Sequence, residues 1–233
     1  MVKPPVTCKT KVIVAIPCFN TEQSIQDIVL GARKYVDKVL VINDGSADNT
    51  AKIAREAGAL LINHSRNRGY GEAIKSCLKA SITHRSDILV ILDGDGQHDP
   101  DDIPKLITPI LSKEADVVIG SRFKSNVVSM PSYRKFGIKL INLLFNIGSE
   151  IKVSDSQSGF RSFCSELVSG LSLTENGMSS SIEVLEKARQ RGAVIKEVPI
   201  ICHYSSSGFS FQAFWHGFIV ALAVMKIRLK SLI

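Results

Sequence analysis

Continuous apolar runs, each closed by a cluster of polar residues, dominate the first half of the chain. KVIVAIP (11–17), KVLVIND (38–44), ALLINH (59–64) and DILVILD (87–93) are short, rich in β-branched residues and each followed by a helical pattern. A fifth run, DVVIGSR (116–122), follows a helix expected over 101–113. Runs without polar alternation, spaced by helices, predict parallel strands covered on both faces. The fold class is therefore α/β, a doubly wound and mainly parallel sheet with helices on both faces.

After residue 123 the pattern changes. A helix is expected over 133–147, then the loop VSDSQSGFR (153–161), a helix over 180–191, a strand over 193–199 and an amphipathic terminal helix over 211–231. Neither a low-complexity linker nor an internal repeat intervenes, so residues 1–233 are expected to form one domain, with a first half over 11–123 and a second over 124–210. In doubly wound sheets ligands bind beyond the carboxyl ends of the strands. Those ends carry PCFNTE (17–22), NDGSADNT (43–50), NRGYGEA (67–73), DGDGQHDP (93–100) and GSRF (120–123), and the loops are expected to converge on one cleft.

Composition narrows the partners. Across 233 residues, 29 Lys+Arg against 22 Asp+Glu give a net charge of +7, which favours nucleic acid, an acidic membrane face or phosphorylated small molecules. No basic-aromatic stripe or recognition-helix signature is present, so nucleic acid is not expected. Cys8, Cys18, Cys77, Cys164 and Cys202 form no CxxC pair, and neither a disulfide framework nor a cysteine zinc site is predicted. The N-terminus MVKPPVTCKTK lacks the apolar core of a signal peptide, so a cytoplasmic location is expected. In FWHGFIVALAVMKIRLKSLI, the apolar part 214–225 is shorter than the ~20 residues of a spanning helix. It ends in Lys226, Arg228 and Lys230. Such a helix is expected to lie at the cytoplasmic membrane face, or to dock on the core or a second subunit as in a homodimer.

The loops then suggest chemistry. Asp93 and Asp95 bracket Gly94 at the end of a buried strand, and two carboxylates so close are most stable with a divalent cation between them. Oxygen donors suit Mg2+ or Mn2+, with Gln97 as a further ligand. Asp99 and Pro100 are the cap and first residue of the next helix; Ser46 or Asp48 serves the same purpose in NDGSADNT, while Asp44 is expected to face the cleft and accept hydrogen bonds from a base or ribose. Gly69 and Gly71 begin a GxGxxG-like pattern, but position 74 is Ile and the pattern follows the third strand, so a dinucleotide fold is not predicted. Arg122, Arg134 and Lys135 suit an anionic second substrate. His98 is left without a role.

In this order the loops resemble those of the inverting family-2 glycosyltransferases of the GT-A fold, and more closely the polyprenyl-phosphate sugar transferases of the dolichol-phosphate mannose synthase type. The resemblance implies transfer of a sugar, with inversion, from a UDP- or GDP-linked nucleotide diphosphate-sugar to a dolichyl-type lipid phosphate at a membrane surface. By the same resemblance Pro17, Phe19, Asn20, Glu22, Asp44, Gly69, Asp93, Gly94 and Asp95 form the nucleotide-sugar side, and Asp93, Asp95 and Gln97 hold Mg2+ or Mn2+. Arg122 and Arg134 hold the acceptor phosphate, Gln157, Ser158 and Gly159 belong to the acceptor loop, and Asp155 lies near the reacting centre. Residues 11–123 become the nucleotide-sugar half and 124–210 the acceptor half. Three departures stand out: Asn43 where the family usually has Asp, Ile138 in place of a serine, and CHYSSSGFS, with His203, in place of basic residues.

A phosphate monoester, with a second pKa near ~6, is largely ionised at neutral pH and needs no strong general base. A saccharide or protein hydroxyl would need one, and Asp155 is the candidate. A nucleotidyltransferase would also use paired carboxylates, but the chain lacks an early Gly-rich triphosphate loop. A non-catalytic binding module is the remaining class.

Overall fold

The computed structural model describes residues 10–125, 130–149, 151–204 and Met225. The helix expected over 211–231 thus lies, Met225 apart, outside the described residues. Seven strands form one sheet: β1 (Val12–Cys18), β2 (Lys38–Asn43), β3 (Leu60–Asn63), β4 (Ile88–Ile91), β5 (Val117–Ser121), β6 (Arg161–Cys164) and β7 (Ile195–Pro199). The helices are α1 (Ile25–Ala32), α2 (Thr50–Glu56), α3 (Tyr70–Thr83), α4 (Ile103–Leu111), α5 (Ser132–Asn146), α6 (Ser165–Gly170) and α7 (Ser180–Gln190). No described helix is long and apolar enough to cross a membrane.

The strand order is β3-β2-β1-β4-β6-β5-β7. All pairings are parallel except those of β6, which runs antiparallel to both β4 and β5. β1, β4 and β5 are buried at every position, as uninterrupted apolar runs require of strands covered on both faces. Helix α1 buries Ile25, Ile28, Val29 and Ala32, the spacing of a stripe that faces a sheet. β3 and β7 are edge strands and only half-covered, so the expectation that ALLINH is covered on both faces is corrected.

β6 and α6 were not anticipated. The loop expected over 153–161 ends on Arg161, which is the first residue of β6, and the polar Arg161 and Ser162 give RSFC no apolar run to mark it as a strand. Arg161 and Ser162 are nevertheless buried, Arg161 donating to the carbonyls of Ser181 and Ser156 and Ser162 to that of Leu106. The reversal of β6 brings the loop ahead of it, 152–160, to the same sheet edge as the carboxyl ends of β1, β2, β4 and β5. Among the described residues β5 pairs only with β6 and β7, so the sheet runs across the division at residue 123.

Candidate active site

The loops after β1 and β2 are laced together before any ligand is considered. Asn20 N–H donates to Ser46 Oγ (3.0 Å), and Asn20 Oδ1 accepts from Ala47 N–H (2.9 Å). Glu22 N–H donates to Asp48 Oδ2 (3.1 Å), and Glu22 Oε2 accepts from Asn49 N–H (2.9 Å). Asn20 and Glu22, expected to line a nucleotide pocket, thus spend their polar atoms on loop-to-loop bonds. Asp48 accepts from Thr50 N–H (3.0 Å) within the turn, but the N-cap of α2 is Asn49, so the cap expected at Ser46 or Asp48 is corrected. Phe19 keeps its ring exposed at the rim. The Pro17 carbonyl accepts from Gly94 N–H (3.3 Å), joining β1 to the loop after β4.

Asp44 is buried, and its carboxylate accepts from the Arg68 (2.9 Å) and Gly69 (2.8 Å) N–H groups, with His64 Nδ1 2.5 Å away. The expectation that it faces an open cleft is corrected: its oxygens tie the loop after β3 to the end of β2. Asn43 does related work, receiving Ser46 N–H and donating to Asn63 Oδ1.

Asp93 and Asp95 stand at the end of β4, as expected. A Cβ on Gly94 would lie 2.4 Å from Cys18 Sγ, so only glycine lets the loop settle on β1. Ser24 Oγ donates to the Gly94 carbonyl (2.7 Å). Asp93 Oδ1 accepts from Tyr70 Oη (3.1 Å). On its other side Gly159 presses close, since a Cβ there would fall 1.7 Å from Asp93 Oδ2. Gly159, expected on the acceptor side, therefore touches the donor-side carboxylate directly. Burial raises the Asp93 carboxyl to about 6, with the charge of Asp95 adding to the effect and the Tyr70 hydrogen bond opposing it. Asp95 is exposed and accepts from Gln97 N–H (3.0 Å). Burial pushes the Cys18 thiol up to about 12, which removes it as a nucleophile.

This pair fits a divalent cation. Two adjacent carboxylates, one of them resisting ionisation, gain from a positive charge between them. No cluster of three or more His, Cys, Asp or Glu able to hold a metal exists among the described residues. A cation here would draw its remaining ligands from the Gln97 amide, water and substrate phosphates, the habit of Mg2+ and Mn2+.

Across the cleft, Arg122 and Asp155 form a buried bidentate pair. Arg122 Nε and Nη2 each donate to the carboxylate at 2.7 Å, and Arg122 N–H adds a third bond at 3.0 Å. Asp155 is 0% exposed. Its backbone is held by Glu197 of β7, which accepts from both Asp155 N–H and Ser154 N–H. Asn142 of α5 accepts from Ser156 N–H (2.9 Å) and Oγ (2.6 Å). The role of general base expected of Asp155 does not suit this setting, because a substrate hydroxyl could reach the carboxylate only by breaking the pair. Arg122 Nη1 donates to Tyr204 Oη (3.2 Å), and each terminal nitrogen keeps one N–H without a partner among the described residues. Arg134 is exposed, with its guanidinium carbon 5.5 Å from the Tyr204 ring centroid. Tyr204 thus brings the two arginines to one place.

Ser158 is buried and turns the loop through Phe160 N–H (3.2 Å), and Gln157 is half-buried beside it. His98 is buried against Phe160, 5.6 Å between ring centroids, and its Nδ1 has no hydrogen-bond partner among the described residues. Burial, with the charge of Arg122, lowers it to about 4, so the ring is neutral. Its backbone bridges to Cys202, and His203 N–H donates to the Gln97 carbonyl (2.8 Å), bringing the segment after β7 onto the Asp93 loop. His203 contributes its backbone here.

Sequence reasoning missed Tyr70, Arg161, Tyr204, Glu197 and Asn142. Tyr70, Arg161 and Tyr204 stood inside NRGYGEA, VSDSQSGFR and CHYSSSGFS but were passed over for their neighbours; Glu197 and Asn142 carried no local signal. Sheet order, strand-end loops and paired carboxylates together define a glycosyltransferase with the GT-A fold. The chain belongs to glycosyl transferase family 2, whose family model matches residues 13–169. It is similar to the UDP-N-acetylglucosamine–dolichyl-phosphate N-acetylglucosaminyltransferase of Methanococcus voltae, 34% identical over 213 residues covering 82% of this chain and 84% of that protein. It is also similar to the dolichyl-phosphate hexose transferase of Haloferax volcanii, 28% identical over 221 residues and 94% of each chain. Among solved structures, glucosyl-3-phosphoglycerate synthase of Mycobacterium tuberculosis, in complex with Mn2+, UDP-glucose and phosphoglyceric acid, matches with a TM-score of 0.76 at 20% identity. That match covers 94% of this chain and 80% of the other, and it concerns the fold.

Proposed function

We propose that this glycosyltransferase moves a sugar from a UDP- or GDP-linked donor, with inversion and with the help of Mg2+ or Mn2+, to a polyprenyl phosphate of the dolichyl type. The observation that carries the choice of acceptor is the sealed Arg122–Asp155 pair. The carboxylate that would activate a hydroxyl is fully buried and held by three donors of Arg122. A phosphate monoester needs no such activation, because it is already an anion at neutral pH. The naming of two relatives as dolichyl-phosphate sugar transferases supports the same reading.

A cation bound by Asp93, Asp95 and Gln97 would neutralise charge on the departing nucleoside diphosphate. The chain's own residues do the rest. The laced loops 17–22 and 44–50 and the exposed Phe19 ring frame the nucleotide. The N–H groups of Arg122 that have no partner among the described residues, with the exposed Arg134, steer the acceptor phosphate to the side opposite the diphosphate, as in-line displacement demands. Helix α5, which carries Arg134, also supports a lipid acceptor. It exposes Tyr133, Phe136, Leu140 and Leu143 at the spacing of one helical face, with Ile147 exposed just past its end, and its charged residues, Arg134, Lys135 and Lys139, are all basic. Such a face suits an anionic membrane surface.

Incubation with Mn2+, a panel of UDP- and GDP-sugars and a short polyprenyl phosphate should yield a glycolipid with the anomeric configuration opposite to that of the donor. Transfer to a saccharide or peptide hydroxyl, with none to the lipid phosphate from any donor, would overturn the reading.

A further inference from the structure

We infer that Tyr70 is a positioning residue for the metal-binding carboxylate: its hydroxyl holds Asp93 in the orientation that selects a small octahedral cation over a larger one. This rests on the metal-dependent reading above and deepens it.

Tyr70 reaches Asp93 from an unexpected direction. It is the first residue of α3, in the loop that leaves edge strand β3, whereas Asp93 ends β4. Two strands, β2 and β1, lie between them in the sheet. The loop crosses that distance because it is clamped from both sides. Asp44 at the end of β2 accepts the Gly69 N–H (2.8 Å), and the Asn176 carbonyl accepts the Gly71 N–H (3.1 Å). Tyr70 sits between these two fixed amides, so the start of its side chain is set by backbone bonds.

Its far end is fixed as well. The ring packs beside Ile74, Gly159 and Arg161, neighbours that restrict its movement. The hydroxyl therefore meets Asp93 Oδ1 at 3.1 Å while Gly159 closes the space at Oδ2. One carboxylate of the pair is thus oriented at both oxygens while staying half-buried, with lone pairs left for a cation, whereas its neighbour Asp95 stands on an exposed turn. A rigid ligand beside a movable one sets the geometry of the site by the rigid one. Partners that orient a metal ligand from outside commonly govern affinity as strongly as the ligand itself. Mg2+ demands near-ideal octahedral geometry, whereas Ca2+ accepts irregular sites. Loosening Asp93 should therefore harm the smaller ions selectively.

The test is Tyr70→Phe, which keeps the ring and removes only the oxygen. Mn2+ binding is followed by the loss of the free-ion electron paramagnetic resonance signal, with UDP or GDP present, and Mg2+ and Ca2+ are measured by competition. The expected result is ~10-fold weaker binding of Mn2+ and Mg2+, with Ca2+ weakened less than ~2-fold. Unchanged affinities would overturn the inference. So would an equal loss for all three ions, which would mark general loosening rather than lost orientation. Asp93→Asn separates the premise: if it binds Mn2+ as the unaltered protein does, the metal site itself is misplaced and the inference falls with it.

Discussion

At Gly159 there is no room for even one added carbon, because that carbon would fall 1.7 Å from Asp93 Oδ2. Gly159→Ala should displace the carboxylate and lower kcat/KM by ~10²-fold, the cost of about 1 Å of misplacement at a reacting centre; circular dichroism should stay native. Asp155 calls for the opposite signature. Removing one member of a buried ion pair costs ~3–5 kcal/mol. Asp155→Asn should therefore lower Tm by roughly 6–20 °C, where a free general base would cost activity and leave Tm unchanged. Asp93 supplies a pH test. Its folded value, about 6, lies above the ordinary carboxylate value near ~3.9, so its proton favours the folded form at low pH and that contribution is lost as pH rises through 6. A divalent cation competes with the same proton. The Tm increase produced by Mn2+ should be full at pH 7.5 and much smaller at pH 5, and equal increases at both would count against Asp93 as a ligand.

The elements most legible in the chain were those whose burial is uniform. β1, β4 and β5 are apolar runs buried at every position, and the helix expected over 133–147 is α5, Ser132–Asn146. Asp93 and Asp95 could be read at the end of β4 because a strand so apolar seldom ends in two carboxylates by accident. β6 was illegible for the converse reason: its polar residues are satisfied by Leu106, Ser156 and Ser181, partners spread widely along the chain. The pairing of Arg122 with Asp155 was hidden in the same way, since each alone reads as a cleft residue and only the fold brings them together. Helix α5 carries its own prediction. Phe136 is 71% exposed and Leu143 63%. Replacing both by Asp should cut turnover of a vesicle-borne acceptor by ~10-fold or more while leaving a short, water-soluble acceptor nearly unaffected. Parallel losses on both substrates would remove α5 from membrane contact.

For the whole molecule, the division at residue 123 describes ligands better than structure. A fragment ending there would contain β5 but neither of its partners, β6 and β7. Residues 1–123 alone should therefore lack the dispersed amide spectrum of a folded protein, and the intact chain should unfold in one cooperative step. The antiparallel insertion of β6 has a consequence in time as well as space. During synthesis Ile88–Ile91 can pair with β1 at once, yet the other edge of that strand waits for Arg161–Cys164 to be made. Until then the nascent chain presents ILVI as a bare apolar edge, the kind of surface that recruits chaperones or neighbouring chains. Slow translation between residues 92 and 160 should therefore lower the yield of native enzyme more than an equal delay after residue 164.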